Sequence, residues 1–190
     1  MRGAIVSLAL LCSCALIAPA EPDYDYYVLT TPGFVEADAA AAPAEASLAI
    51  EDVSIPAYLE REAIAIRVEE TRVSYSGRAR WAEPLDLGVE RVLRQELARL
   101  LAPSDVWVIG DRVSAAYLLT VEVQRFERRG PSIELWARWM LRAQDEPVVA
   151  RDERISLPLA APTAAAATDA MSRALVELAE RVHVIVAERP

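Results

Sequence analysis

The chain has 190 residues, 54% of them hydrophobic and 26% charged, a balance that describes a globular protein and excludes a disordered one. Once an N-terminal export segment and the stretch behind it are set aside, roughly 140 residues remain, enough for one core but not two. The formal charge is −9; losing residues 1–13 removes Arg2 and leaves 19 basic against 29 acidic residues, a formal −10 that argues against a nucleic-acid partner.

Residues 1–20 read as an export signal: Met1-Arg2 is a minimal positive start, Ala4 to Leu11 a short apolar run, and small residues follow. The apolar stretch is broken by Ser7, Ser13 and Pro19, and it is too short and interrupted for a permanent spanning helix. Two cleavage sites compete. Leu11-Cys12-Ser13-Cys14 resembles a bacterial lipobox, and Ala18-Pro19-Ala20 fits the ordinary signal peptidase. The lipobox is preferred because the apolar run already ends at Leu11, which makes Cys14 the expected site of acylation. Both cuts leave the mature chain without a disulfide, and no cysteine remains to hold a metal. Two or three acyl chains on Cys14 would exceed the marginal binding of a single one. Ala15, in place of an aspartate, favours the outer membrane over the inner.

Residues 14–25 read as a lipidated tether, with Pro19 and Pro22, and residues 26–190 as a single domain. Tyr26-Tyr27-Val28-Leu29-Thr30 predicts a first short strand, and the Pro/Gly/Ala-rich stretch 31–47 a loop. Strands are expected over 48–55, 63–68 and 72–76. Pro84 opens a helix in which Leu85, Val89, Val92, Leu93, Leu97 and Leu100 recur at helical spacing, and Pro103 closes it.

A short strand at 106–109 precedes two long alternating runs, 115–128 and 132–142, turning at Arg129-Gly130-Pro131. Tyr117, Leu119, Val121 and Val123 share one face; Ile133, Leu135, Ala137, Trp139 and Leu141 share the matching one. A strand at 148–157 and a closing helix striped by Met171, Leu175, Leu178, Val182 and Ile185 complete the chain. The expected fold class is α+β, a mostly antiparallel sheet with two amphipathic helices packed on one face.

No catalytic constellation emerges. The single histidine, His183, falls away from the closing helix's apolar stripe and reads as an ordinary, largely exposed side chain. The glycines form neither a dinucleotide fingerprint nor a phosphate loop, and no serine occupies a nucleophile elbow. Glu51-Asp52, Glu69-Glu70 and Asp152-Glu153 read as solvated acidic surface. Arg125, Arg128, Arg129, Arg138 and Arg142 read as a solvated sheet face, with lipid head groups as the alternative contact. No enzyme activity, cofactor or metal is expected. Phe126, Trp136 and Met140 are expected on the sheet face away from the helices, as an apolar patch for a partner or lipid.

Ile55-Pro56-Ala57-Tyr58-Leu59-Glu60-Arg61 and Arg80-Trp81-Ala82-Glu83-Pro84-Leu85 are the least ordinary strings. With the lipobox and the Tyr26–Leu29 strand, in that order, they resemble the ABC-type transport auxiliary lipoprotein family. The 31–47 loop departs from the family's compact pattern. The resemblance implies a non-enzymatic lipoprotein at the periplasmic side of the outer membrane. Its partners would be MCE-domain (mammalian cell entry) transporter proteins that move lipid, phospholipid included, between membranes, with a homo-oligomeric ring of protomers as one arrangement. Tyr58, Arg61 and Trp81 occupy the motif positions and are the candidate partner interface, while the plainer reading of Trp81 is a core plug seating the helix start. Two other readings keep the same tether: a lipoprotein that itself binds a small apolar ligand, and a structural envelope-assembly lipoprotein.

Overall fold

The computed structural model describes residues 23–31, 46–101, 106–110, 112–113, 115–143 and 146–187. Cys14, the export segment and most of the 31–47 loop lie outside the described residues. The elements run β1 (Asp25–Tyr27), β2 (Ala46–Ser54), a 3-10 turn (Ala57–Leu59), β3 (Ala63–Glu69), β4 (Arg72–Trp81), α1 (Leu85–Leu101), β5 (Val106–Val108), β6 (Tyr117–Arg129), β7 (Ser132–Ala143), β8 (Glu146–Pro158) and α2 (Ala164–Ala187).

The eight strands form one mixed sheet built around β6. One edge of β6 is taken by antiparallel β7, which in turn pairs antiparallel with β8. Its other edge is shared: β2 runs parallel to the first half, and β3 meets the last residues, pairing Ile66 and Arg67 with Arg128 and Arg129. β4 pairs antiparallel with β3 and parallel with β1, while β5 closes the far side of β2. The α+β class is as expected. Most paired residues are antiparallel, but the connections through β1, β2, β5 and β3–β6 are parallel, so the sheet is mixed.

Both helices lie on one face. α1 packs over β2 and β5, α2 over β6, β7 and β8, and the helices pack on each other. The alternating runs supply the floor of this core: Leu119, Val121, Val123, Ile133, Leu135, Ala137, Trp139 and Leu141 are all buried. Val89, Val92, Leu93 and Leu97 of α1 and Met171, Leu175, Leu178 and Val182 of α2 fill it from above. Period-2 and period-3.6 patterns thus converge on one interior.

Three local features depart from the sequence expectations. β4 runs through Gly77 to Trp81, past the expected end at Ser76; its second half gains β1 as a partner. Residues 23–25, expected as the end of a tether, pack onto the body: Asp23 and Asp25 pair with Arg78, and Tyr24 stacks under Arg80. A register shift between Val123 and Arg125 leaves Gln124 as an extra residue in β6. That bulge inverts the alternation downstream, since one added residue turns every later side chain to the other face. Phe126 therefore points under the helices and is only 1% exposed. It belongs to the core and not to an outer patch.

Candidate docking surface

The two unusual strings meet. Trp81 ends β4 and donates its backbone N–H to the Glu62 carbonyl at 2.6 Å, so the segment after Tyr58 and the start of α1 lie side by side. Between them is a cleft of about 300 Å³ lined by Glu60, Arg61, Glu62, Trp81, Ala82, Glu83, Pro84 and Leu85. Trp81 is 6% exposed and packs with the core beneath it. Pro84 opens α1 as the sequence predicts, its carbonyl accepting from Gly88 N–H at 3.0 Å. Glu83 grips Arg91 two turns into α1, and Arg91 also donates to the Leu29 carbonyl at 2.9 Å. The N-terminal segment is fixed further by Ala82 N–H donating to Tyr27 O at 2.9 Å and by Thr30 N–H donating to Ser172 Oγ at 3.0 Å.

Tyr58 lies in the same connection but faces another way. Its carbonyl accepts from the Tyr75 hydroxyl at 3.1 Å, and the Arg61 guanidinium sits 4.9 Å above the Tyr75 ring. The Tyr58 ring lies 5.5 Å from the Arg67 guanidinium, which pairs with the wholly buried Glu127 at 2.6 Å. Tyr58 Oη and Glu127 Oε2 are both buried without a hydrogen-bond partner. Burial, then the Glu127 carboxylate, pushes the Tyr58 phenol up to about 12. Of the three candidate residues, Arg61 is exposed, Tyr58 is half-buried and Trp81 is buried. The cleft presents Arg61 and three carboxylates to solvent, with buried Trp81 in its wall; Tyr58 is not part of its lining.

The sheet face away from the helices is polar and tightly paired. Trp136 is sandwiched between the guanidinium groups of Arg125 at 4.0 Å and Arg154 at 4.4 Å. Glu70 bridges Arg125 at 2.8 Å and Arg129 at 3.0 Å, and these arginines holds Glu70 below the usual carboxylate range. Glu51, the extra residue at a register shift in β2, pairs with Arg142 and accepts from Thr120 Oγ1 at 3.1 Å; the Arg142 bond chiefly lowers its pKa. The expected apolar patch is thus absent as such. Phe126 is inside, Trp136 is capped by two cations, and Met140 is half-buried. Nor are the carboxylate pairs merely solvated, since Glu51, Glu69, Glu70 and Glu153 each engage an arginine.

The family model for ABC-type transport auxiliary lipoprotein components matches residues 27–183. The chain belongs to this family. The match spans both motif strings, all of α1 and most of α2, so the resemblance read from those strings holds. No curated protein matches the sequence. Among solved structures, an uncharacterised protein is 17% identical, covering 86% of this chain and 99% of its own at a TM-score of 0.74. A Xanthomonas campestris protein of the DUF330 family is 18% identical, covering 83% and 92% at a TM-score of 0.64. At such identities the likeness shows a shared fold.

His183 is half-exposed on α2, and no cluster of metal-ligating side chains occurs among the described residues. No described helix is long and apolar enough to cross a membrane. Sequence reasoning missed Glu83–Arg91, Arg67–Glu127 and Arg125–Trp136–Arg154, because each joins residues that only the strand register or a helix turn brings together.

Proposed function

We propose that this lipoprotein is the docking subunit of an ABC-type intermembrane lipid transport system, anchored through acylated Cys14 on the periplasmic side of the outer membrane. Its partner is an MCE-domain protein, and several copies arranged as a ring would present their docking faces to it together. The single observation that carries this reading is the filled interior. Leu93, Leu97, Leu119, Val121, Trp139, Leu141, Leu175 and Leu178 close the space between helices and sheet, each at most 1% exposed. A carrier of small apolar ligands needs a concave apolar chamber there. A solid body must act at its surface, and the surface cleft beside Arg61 is small and lined by charge.

Arg61 is the residue to test, because it is exposed and its guanidinium is held over Tyr75. Arg61→Ala should lower recovery of the MCE-domain protein from detergent-solubilised envelopes at least severalfold, at equal amounts of folded lipoprotein. Trp81→Ala should act differently, by destabilising the body. Undiminished capture by Arg61→Ala would remove the cleft from the docking site.

A further inference from the structure

The tether fixes the point at which the body is attached to the bilayer. From Cys14 to Asp23, the first described residue, the chain can reach at most about 30 Å. A folded body of about 165 residues has a diameter of roughly 40 Å. A lipid anchor at Cys14, as proposed above, therefore keeps the point where the tether enters the body within about 30 Å of the bilayer. The tether enters at β1, the outermost strand at one end of the sheet; β8 lies five strand spacings away, roughly 24 Å, so tether length alone leaves both ends within reach and surface chemistry decides which one faces the bilayer.

The β1 rim has the surface chemistry of a membrane interface. Tyr26 is 63% exposed and Val28 is 45% exposed, in a segment whose other side chains, Tyr27 and Leu29, pack against the core. In the β1–β4 register Tyr26 lies beside Arg80, whose guanidinium covers the Tyr24 ring at 4.2 Å. Arg78 is also exposed, and it is paired with Asp23 and Asp25. The two arginines and two aspartates leave this rim close to neutral. That suits a largely zwitterionic bilayer better than a strongly anionic one. Tyrosine and arginine at the head-group level, with a small aliphatic group beside them, are what the interfacial region favours.

We infer that the β1 rim, through Tyr24, Tyr26, Val28 and Arg80, rests on the head-group region of the same bilayer that holds the acyl anchor. The body is thereby oriented as well as tethered. The opposite end of the sheet, at β8, is turned toward the periplasm.

The mature chain offers a clean test, because no thiol but acylated Cys14 remains after processing. Nitroxide labels placed through Tyr26→Cys, Val28→Cys or, on β8, Ser156→Cys report depth by collision with oxygen and with a water-soluble nickel chelate. The host is the full acylated protein in phosphatidylethanolamine vesicles containing a minority of phosphatidylglycerol. An oxygen-to-nickel accessibility ratio several-fold higher at 26 and 28 than at 156 is expected. Equal, fully aqueous ratios at all three sites in protein that floats with the vesicles would overturn the orientation and leave the anchor standing. Immersion of the 156 label alone would also overturn it. Failure of the acylated preparation to float would sink the anchor and the orientation together.

Discussion

On β6 and β7 alternate residues have opposite fates. Leu119, Val121, Leu135, Trp139 and Leu141 lie under the helices with almost no exposed surface. Thr120, Arg125, Glu134, Trp136 and Arg142, from the same strands, form hydrogen bonds, ion pairs and guanidinium–ring stacks on the other face. The helix-side face is held by the removal of apolar area from water, which is non-directional and roughly proportional to the area buried. The outer face is held by directional contacts, each weak where it meets solvent and dependent on the strand register. The first gives the body its stability, and the second gives it a patterned surface.

The largest loss of stability is expected at Trp139, on the helix-side face. Trp139→Ala removes a fully buried indole and should cost about 3–5 kcal/mol in denaturant unfolding. A loss no larger than that of an outer-face substitution would mean that the interior is not solidly packed.

Glu127 should rank next, because it is the charge on the outer side that has no exposure at all. Glu127→Ala leaves Arg67 without its carboxylate and should cost about 3 kcal/mol. Arg67 still donates to the Glu70 carbonyl at 3.1 Å, which limits the damage. A near-neutral result in a chemical melt would show that the pair is strained or wet.

Arg125→Ala should cost roughly 1 kcal/mol, from the lost stack on Trp136 and the lost Glu70 and Glu134 pairs. Its signature is spectroscopic too: one face of Trp136 opens to water, and Trp fluorescence should shift. Tyr58→Phe should change stability by less than about 1 kcal/mol in either direction, because the hydroxyl it removes is buried without a partner. A clear loss would reveal a hydrogen bond to Glu127.

The smallest effect is a pH slope. Glu51 and Glu70 have folded pKa values below the ordinary 4.5, lowered chiefly by hydrogen bonds from Arg142 and Arg125. Their contribution is complete above that ordinary value and is lost as pH falls through the lowered ones. Unfolding midpoints of a Glu51→Gln, Glu70→Gln double variant should therefore fall less steeply with acid than those of the parent. Parallel curves would mean that solvent screens both pairs.

Much of the helix-side core could be read from the amino-acid sequence, because its cause is periodic. The leucine and valine stripes of α1 and α2 and the odd-numbered residues of β6 and β7 announce themselves by spacing. What the spacing hid has a local or a long-range cause. Gln124 carries no mark of a bulge, so Phe126 was assigned to the wrong face. The expected strand ended at Ser76, but β1, whose residues pair with partners 54 positions later, extends β4 to Trp81. The candidate site was half legible. The two motif strings could be picked out, but not that they line one cleft in which Arg61 is exposed and Trp81 buried. Each ion pair of the outer face depends on a register that no single strand encodes.

The central claim is that this lipoprotein works by docking a partner and not by holding lipid inside. The most direct measurement is a pull-down of the intact protein and of Cys14→Ser from detergent-solubilised envelopes, with mass spectrometry of both proteins and lipids. The account predicts an MCE-domain protein at a fixed ratio, with no lipid bound in stoichiometric amount beyond the acyl anchor. Lipid at a fixed ratio on both forms, with no protein partner, would contradict it and make the body a carrier.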